Sequence, residues 1–211
     1  MTPSTYLNSI IEQLTFTENQ KEQIKISIQN LKSRLESYFR DSITSIKVFG
    51  SYDRNTMINH NEADIDIMVV FKNEDNLKPQ TYLNKLKTFA EQTYPRSDIK
   101  QSHPTILIQL NHINFELIPA YQNKPMSAYQ TYMYQNYYYI PKKDSKFFSY
   151  EDWERTEPFE FAKRIKEKCR NSTNTHKLIL LMKSWSLKNN YIPSYKLEQN
   201  IVDRDYWNCF N

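Results

Sequence analysis

The stretch that decides the fold is Val48–Phe71, VFGSYDRNTMINHNEADIDIMVVF. It starts at the end of one apolar strand, turns at Gly50-Ser51, crosses a polar segment and enters Ile65–Phe71, which is apolar except at Asp66. A run of that kind fits a central strand covered on both faces. Gly50 is the only glycine in 211 residues, where average usage would supply roughly fifteen. Lys, Asn, Ile and Tyr are abundant, as in a protein encoded by AT-rich DNA, so scarcity of glycine is a compositional drift. A glycine that survives the drift marks a backbone that needs positive φ or must approach a ligand closely. An ordinary turn is the plainer explanation.

Asp64 and Asp66 are two apart on the expected strand, so their side chains share a face. Two carboxylates on one face repel unless a cation lies between them. Mg²⁺ takes oxygen ligands, a few of them carboxylates and the rest waters and substrate phosphates. A third acid is expected from a neighbouring strand. Ile113–Pro119, INFELIP, supplies Glu116 in an otherwise apolar segment, on the same face as Asn114 and Ile118. Asp64, Asp66 and Glu116 are therefore the expected metal ligands and catalytic acids, for two Mg²⁺ ions or for Mn²⁺ in their place. Two ions stabilise the attacking and leaving oxygens of an in-line phosphoryl displacement. In this reading Gly50 lets a triphosphate pass close to the backbone, while Ser51 and the amides after it donate to its oxygens.

Working outward, periodicity predicts helices over Tyr6–Leu14 and Glu18–Phe39, the second with Thr17 as N-cap. Strands are predicted at Ser45–Phe49, Ile65–Phe71, Thr105–Leu110 and Ile113–Ile118, with a helix over Lys78–Tyr94. Tyr129–Ile140 is an aromatic connection without an assignable period. Helices follow at Phe159–Arg170, His176–Lys188 and Ser194–Val202. The order implies an α/β (α+β) fold, a mixed sheet followed by a helical lobe. One two-lobed unit is expected over residues 1–211, with the sheet core in 1–140 and the helical lobe and tail in 141–211.

Composition narrows the class. The chain is 39% hydrophobic and 25% charged, as in a soluble globular protein. No run approaches the ~18 apolar residues of a membrane span, and no signal peptide opens the chain, so a cytoplasmic protein is expected. Cys169 and Cys209 have no metal-ligand spacing and read as free thiols. A net charge of +4 permits nucleotide contact without arguing for a duplex-binding protein.

Gly50-Ser51, twelve intervening residues, Asp64-Ile65-Asp66 and a later strand acid resemble the polymerase-β-like nucleotidyltransferases. Tyr139-Ile140-Pro141 with Trp153, Thr156 and Pro158 resembles the link between lobes in the bacterial relatives of cyclic GMP-AMP synthase, the CD-NTases. Leu181–Trp185 and Pro193–Glu198 resemble their helical lobe. The resemblance implies that Lys183 and Ser194 contact the triphosphate and that Tyr195 stacks on the base. It also implies a Mg²⁺-dependent, template-independent transfer in antiphage defence. Glu116 stands where many relatives have Asp, and the chain reads as a minimal form without the further helices of longer cyclases. Its size is similar to the nucleotidyltransferases of Hailong-type defence. Those make single-stranded oligodeoxyadenylate that restrains a membrane effector, which implies ATP or dATP as substrate, with dATP favoured. In them a tyrosine near the C-terminus serves as the first acceptor, which implies a priming role for Tyr206. A cyclic oligonucleotide, transfer to a small molecule, or a binding module without catalysis are the competing expectations.

Overall fold

The computed structural model describes residues 2–60, 63–72, 77–102, 104–122, 137–142, 152–189 and 192–204. Two helices open the chain, α1 (Pro3–Leu14) and α2 (Glu18–Phe39). Thr17 caps α2 through a capping box, accepting from the Gln20 amide while the Gln20 side chain accepts from the Thr17 amide. A cap of this kind is worth about 1 kcal/mol. Strand β1 (Ile43–Phe49) leads into a single helical turn, α3 (Gly50–Asp53), and then β2 (Asp64–Phe71). Helix α4 (Pro79–Thr93) follows, then β3 (Asp98–Ser102), β4 (Thr105–Gln109) and β5 (Asn114–Tyr121). Two short strands, β6 (Tyr138–Pro141) and β7 (Trp153–Thr156), precede the helices α5 (Pro158–Asn171), α6 (Thr173–Asn189) and α7 (Ser194–Asp203).

The strands form one mixed sheet in the order β1-β2-β5-β4-β3. Only the central pair, β2 and β5, runs parallel. Strand β6 pairs with β5 at Tyr121, beyond the stretch that β4 covers, and β7 pairs with β6. The sheet therefore continues through Thr156, past the expected lobe boundary after residue 140. Strand β3 was not expected. Its sequence, DIKQS, lies at the sheet edge, and its side chains alternate between exposed and half-buried.

The central strands have two different faces. Ile65, Ile67, Val69 and Phe71 of β2 pack with Phe115 and Leu117 of β5 against Ile28, Leu31 and Leu35 of α2 and Leu83, Leu86 and Phe89 of α4. On the opposite face Met68, Val70, Ile118 and Ala120 form a smaller core with Tyr138, against which Phe159 packs. Asp64, Asp66, Asn114 and Glu116 share this second face by alternation, at the beginnings of their strands. A third core holds the helical lobe together, with Phe161 and Ile165 from α5, Ile179 from α6 and Leu197 and Ile201 from α7. Helix α1 packs on α6, where Lys177 Nζ donates to Asn8 Oδ1 at 3.0 Å.

Leu31 is fully buried at the centre of the α2–sheet contact. Leu31→Ala removes apolar area and leaves a cavity, so it should cost about 2–5 kcal/mol. Urea unfolding is expected to show a lower midpoint with an unchanged slope.

Candidate active site

Strand pairing brings the acids together. In the parallel β2–β5 ladder Asp66 lies opposite Glu116, and Asp64 lies opposite Asn114. Asp66 also faces Phe49 across the β1–β2 ladder. The chain leaves β1 at Phe49 and turns at Gly50, whose φ is +69°. That turn presses the backbone against Asp66. A Cβ on Gly50 would overlap Asp66 Oδ2 and lie 2.6 Å from Cγ. Positive φ and this contact both require glycine. The sequence alone suggested that Gly50 makes room for phosphate; the atom that occupies the space is the Asp66 carboxylate.

The electrostatics follow from this crowding. Burial first, then repulsion from Asp64 and Glu116, raises the Asp66 carboxyl from 3.8 to about 7. Burial also raises Asp64, against the attraction of His60 and Lys183. Such groups bind a cation readily, because a positive charge removes the repulsion that holds their protons on. Among the described residues no three His, Cys, Asp or Glu side chains are gathered closely enough to hold a metal ion by themselves. Asp64, Asp66 and Glu116 supply carboxylate oxygens, the donor type that Mg²⁺ takes together with waters and phosphate oxygens.

The turn after Gly50 is closed by its own backbone. The Arg54 amide donates to Gly50 O at 3.1 Å and the Thr56 amide to Ser51 O at 2.9 Å. Ser51 sits half-buried at the start of this turn. The residues that follow are gripped by the helical lobe. Asp53 pairs with Lys166 at 2.7 Å, and Asn55 O meets His176 Nε2 at 2.7 Å. Arg54 Nε donates to Glu198 Oε2 at 2.6 Å. Thr56 Oγ1 donates to Glu198 Oε1 at 2.7 Å. Lys183 Nζ donates to that same oxygen at 2.9 Å and to Thr56 O at 2.7 Å.

Lys183 is neither a solvated helix lysine nor a side chain projecting freely into the cleft. It is 3% exposed. Burial lowers its ammonium against the attraction of Glu198, and the charge lies close enough to act on Asp64 and Asp66. Ser194 begins α7, half-buried. Its approach is fixed by Ser186, whose hydroxyl donates to Ile192 O at 2.8 Å and accepts from the Ile192 amide at 3.0 Å. Tyr195 is 49% exposed and stands edge-on to Phe161, centroids 4.9 Å apart. Its ring also lies 5.8 Å from the Arg54 guanidinium carbon. Tyr206 lies outside the described residues. Arg54, Thr56 and the burial of Glu198 were missed by sequence reasoning. The signal available was Arg54 and Thr56 in GSYDRNT, directly after the turn.

A groove of about 1360 Å³ lies between α1 and the helical lobe, and none of the three acids lines it. A smaller polar recess of about 430 Å³ reaches Asn114, the strand neighbour of Asp64, and is lined also by Asn59, His60 and His112. Among the described residues, perturbed carboxylates, buried cations and a tight backbone turn coincide at the acids and not at the larger groove, a combination typical of functional sites.

A mixed sheet bearing acids on two central parallel strands, with a glycine turn against one acid and a helical lobe across it, is the arrangement of a polymerase-β-type nucleotidyltransferase. Residues 1–169 match the profile of the Second Messenger Oligonucleotide or Dinucleotide Synthetase domain, and the chain belongs to that family, the CD-NTases. No curated protein matches it. Among solved structures, a variant of the Vibrio cholerae di-nucleotide cyclase DncV in complex with ATP and GTP matches with a TM-score of 0.71. The two are 12% identical, over 93% of this chain and 71% of that one. CdnC of Escherichia coli MS115-1, in a complex with HORMA, matches at 0.67 and 12% identity, over 99% of this chain and 65% of its own. CdnG of Bradyrhizobium diazoefficiens, in complex with GTP, matches at 0.60 and 14% identity. That match covers 75% of this chain and only 44% of CdnG.

The raised Asp66 carboxyl makes a stability prediction. The unfolded chain releases this proton near pH 4 and the folded, metal-free protein near pH 7. Between those values the folded state binds more protons, so stability falls as pH rises, and the cost is constant above about pH 7. Asp66→Asn should therefore stabilise the metal-free protein at pH 7.5, by on the order of 2 kcal/mol. The gain should shrink towards pH 4. Thermal unfolding in chelator at several pH values checks this, and a variant destabilised at every pH would contradict it.

Proposed function

We propose that the protein is a divalent-metal-dependent, template-independent nucleotidyltransferase of bacterial antiphage defence that joins nucleoside triphosphates into an oligonucleotide signal. The observation that carries the reading is the register of Asp66 beside Glu116, with Asp64 on the same face and Gly50 against the Asp66 carboxylate. Asp64, Asp66 and Glu116 would hold Mg²⁺, or Mn²⁺ in its place. The bound metal would supply positive charge to the phosphate oxygens as negative charge develops on them.

The chain's own residues bind and orient. The Ser51 hydroxyl and Ser194 stand on the two sides of the cleft as donors to a triphosphate, with the buried Lys183 charge behind them. The half-exposed face of Tyr195 suits a nucleobase. Glu116, beside Asp66, takes the proton of the attacking hydroxyl. That oxygen then bonds to the α-phosphorus, and the bond to pyrophosphate breaks.

Within this reading we favour a linear, single-stranded product built from dATP, acting on a membrane effector. The resemblance to Hailong-type enzymes supports it. In this reading the effector is a separate membrane protein reached through the product; among the described residues no helix of this chain is long and apolar enough to cross a membrane. Tyr206 would provide the first hydroxyl, a tethered acceptor having a high effective concentration.

Incubation with each labelled NTP and dNTP, with Mg²⁺ and no template, tests the assignment. A ladder is expected, and a single nuclease-resistant spot would indicate a cyclic product instead. The Asp64→Asn, Asp66→Asn double variant should lose at least about a thousandfold in turnover while remaining folded. Intact mass after incubation with dATP should show nucleotide increments on the wild type and none on Tyr206→Phe. Equal product from Tyr206→Phe, with no adduct on either protein, would remove the priming role.

A further inference from the structure

We propose that Glu198 is a positioning residue for nucleotidyl transfer, which sets the place of the Lys183 and Arg54 cations relative to the strand-borne acids. The proposal rests on the nucleotidyltransferase reading of Asp64, Asp66 and Glu116. Glu198 is completely buried. Its two oxygens take three donors from two distant segments: Arg54 Nε at 2.6 Å, Thr56 Oγ1 at 2.7 Å and Lys183 Nζ at 2.9 Å. Arg54 and Thr56 come from the turn after Gly50, and Lys183 from α6. One carboxylate on α7 thus ties the catalytic turn to the lobe that carries Ser194 and Tyr195.

The charges do not cancel inside this cluster. Two buried cations share one buried anion, leaving one positive charge over. That surplus lies within electrostatic reach of Asp66. The grip on the turn continues on either side of Arg54, through Asp53–Lys166 and Asn55–His176. One of those contacts is a side-chain ion pair and the other holds the Asn55 carbonyl, and neither touches Arg54 or Lys183, which Glu198 joins. Removing the Glu198 charge leaves the fold with its apolar lobe core, formed by Phe161, Ile165, Ile179 and Ile201, but leaves the Lys183 ammonium on the Thr56 carbonyl without its counter-ion, and Arg54 without its carboxylate. A displacement of about 1 Å in a catalytic constellation can cost a hundredfold in rate.

The test compares Glu198→Gln with Ile201→Ala, a substitution in the same helix that loosens the lobe core without touching the network. Both are assayed well below their melting temperatures. Glu198→Gln should lose about 10- to 100-fold in kcat/KM, and Ile201→Ala, even with an equal loss of Tm, should stay within about threefold of wild type. Combining Glu198→Gln with Lys183→Met should be no worse than the poorer single variant, because both act through the same ammonium. The proposal is overturned by a Glu198→Gln enzyme within threefold of wild type, by an Ile201→Ala enzyme equally impaired, or by losses that multiply in the double variant. Where Glu198→Gln does not fold, Glu198→Asp keeps the buried charge and draws the carboxylate back by one methylene. It should fold and show the same loss, and wild-type activity there overturns the proposal. A wild-type protein inert with every triphosphate removes the functional reading itself. That result differs from an active wild type indifferent to Glu198, which removes only the positioning role.

Discussion

Three carboxylates on two hydrogen-bonded strands repel one another, and much of the surrounding structure answers that repulsion. Asp66 bears most of it. Burial and its two acidic neighbours leave it protonated near neutrality when no cation is present. Stability alone would replace such a residue, since a buried charge without a partner costs several kcal/mol. The site therefore trades stability for a place where positive charge binds strongly. Gly50 contributes by having no side chain, so the turn can close against the carboxylate.

The apolar strands are what make this strain tolerable. The other face of β2 and β5 is buried against α2 and α4 through fully enclosed isoleucines, leucines and phenylalanines. A one-residue slip in the parallel ladder would separate Asp66 from Glu116 and also turn that apolar set towards the cleft. The burial that fixes the fold thus fixes the spacing of the acids. The helical lobe is held to the sheet partly by Phe159 on the Met68–Tyr138 core and partly by the paired charges around Glu198 and the contacts of residues 53–56. Directional polar contacts specify an orientation more narrowly than apolar packing does, whatever their net contribution to stability.

What could be read from the sequence follows the same division. Helix α2 appears with its observed bounds, because Ile24, Ile28, Leu31 and Leu35 recur at helical spacing and Thr17 caps them. Strand β2 and the shared face of Asp64 and Asp66 follow from the apolar run, and the mixed sheet with a helical lobe follows from element order. Strand β3 was illegible because DIKQS at an edge has little to bury. Strands β6 and β7, four residues each, are too short to show a period. The Glu198 network was illegible for another reason. Its partners lie 144, 142 and 15 residues away, and local pattern carries no information about pairing at that range. Lys183 shows this best: the family resemblance implied a triphosphate contact, and the structure gives its ammonium Glu198 and the Thr56 carbonyl as partners.

The distance along the chain between Arg54 and Glu198 also orders events during synthesis. The turn carrying Arg54 leaves the ribosome well over a hundred residues before its counter-ion. At ordinary elongation rates of ~5–20 residues per second, that gap lasts on the order of ten seconds or more. Through that interval the sheet can assemble, since the contacts among β1, β2, α4 and β5 are complete by Tyr121. Arg54 must stay hydrated until α7 arrives, which keeps the turn open to water. The nascent protein thus has its acids aligned before it has the lobe that faces them. Pairing at residue 198 therefore has to follow synthesis of α7, and until then the acidic face of β2 and β5 lacks the lobe that covers it.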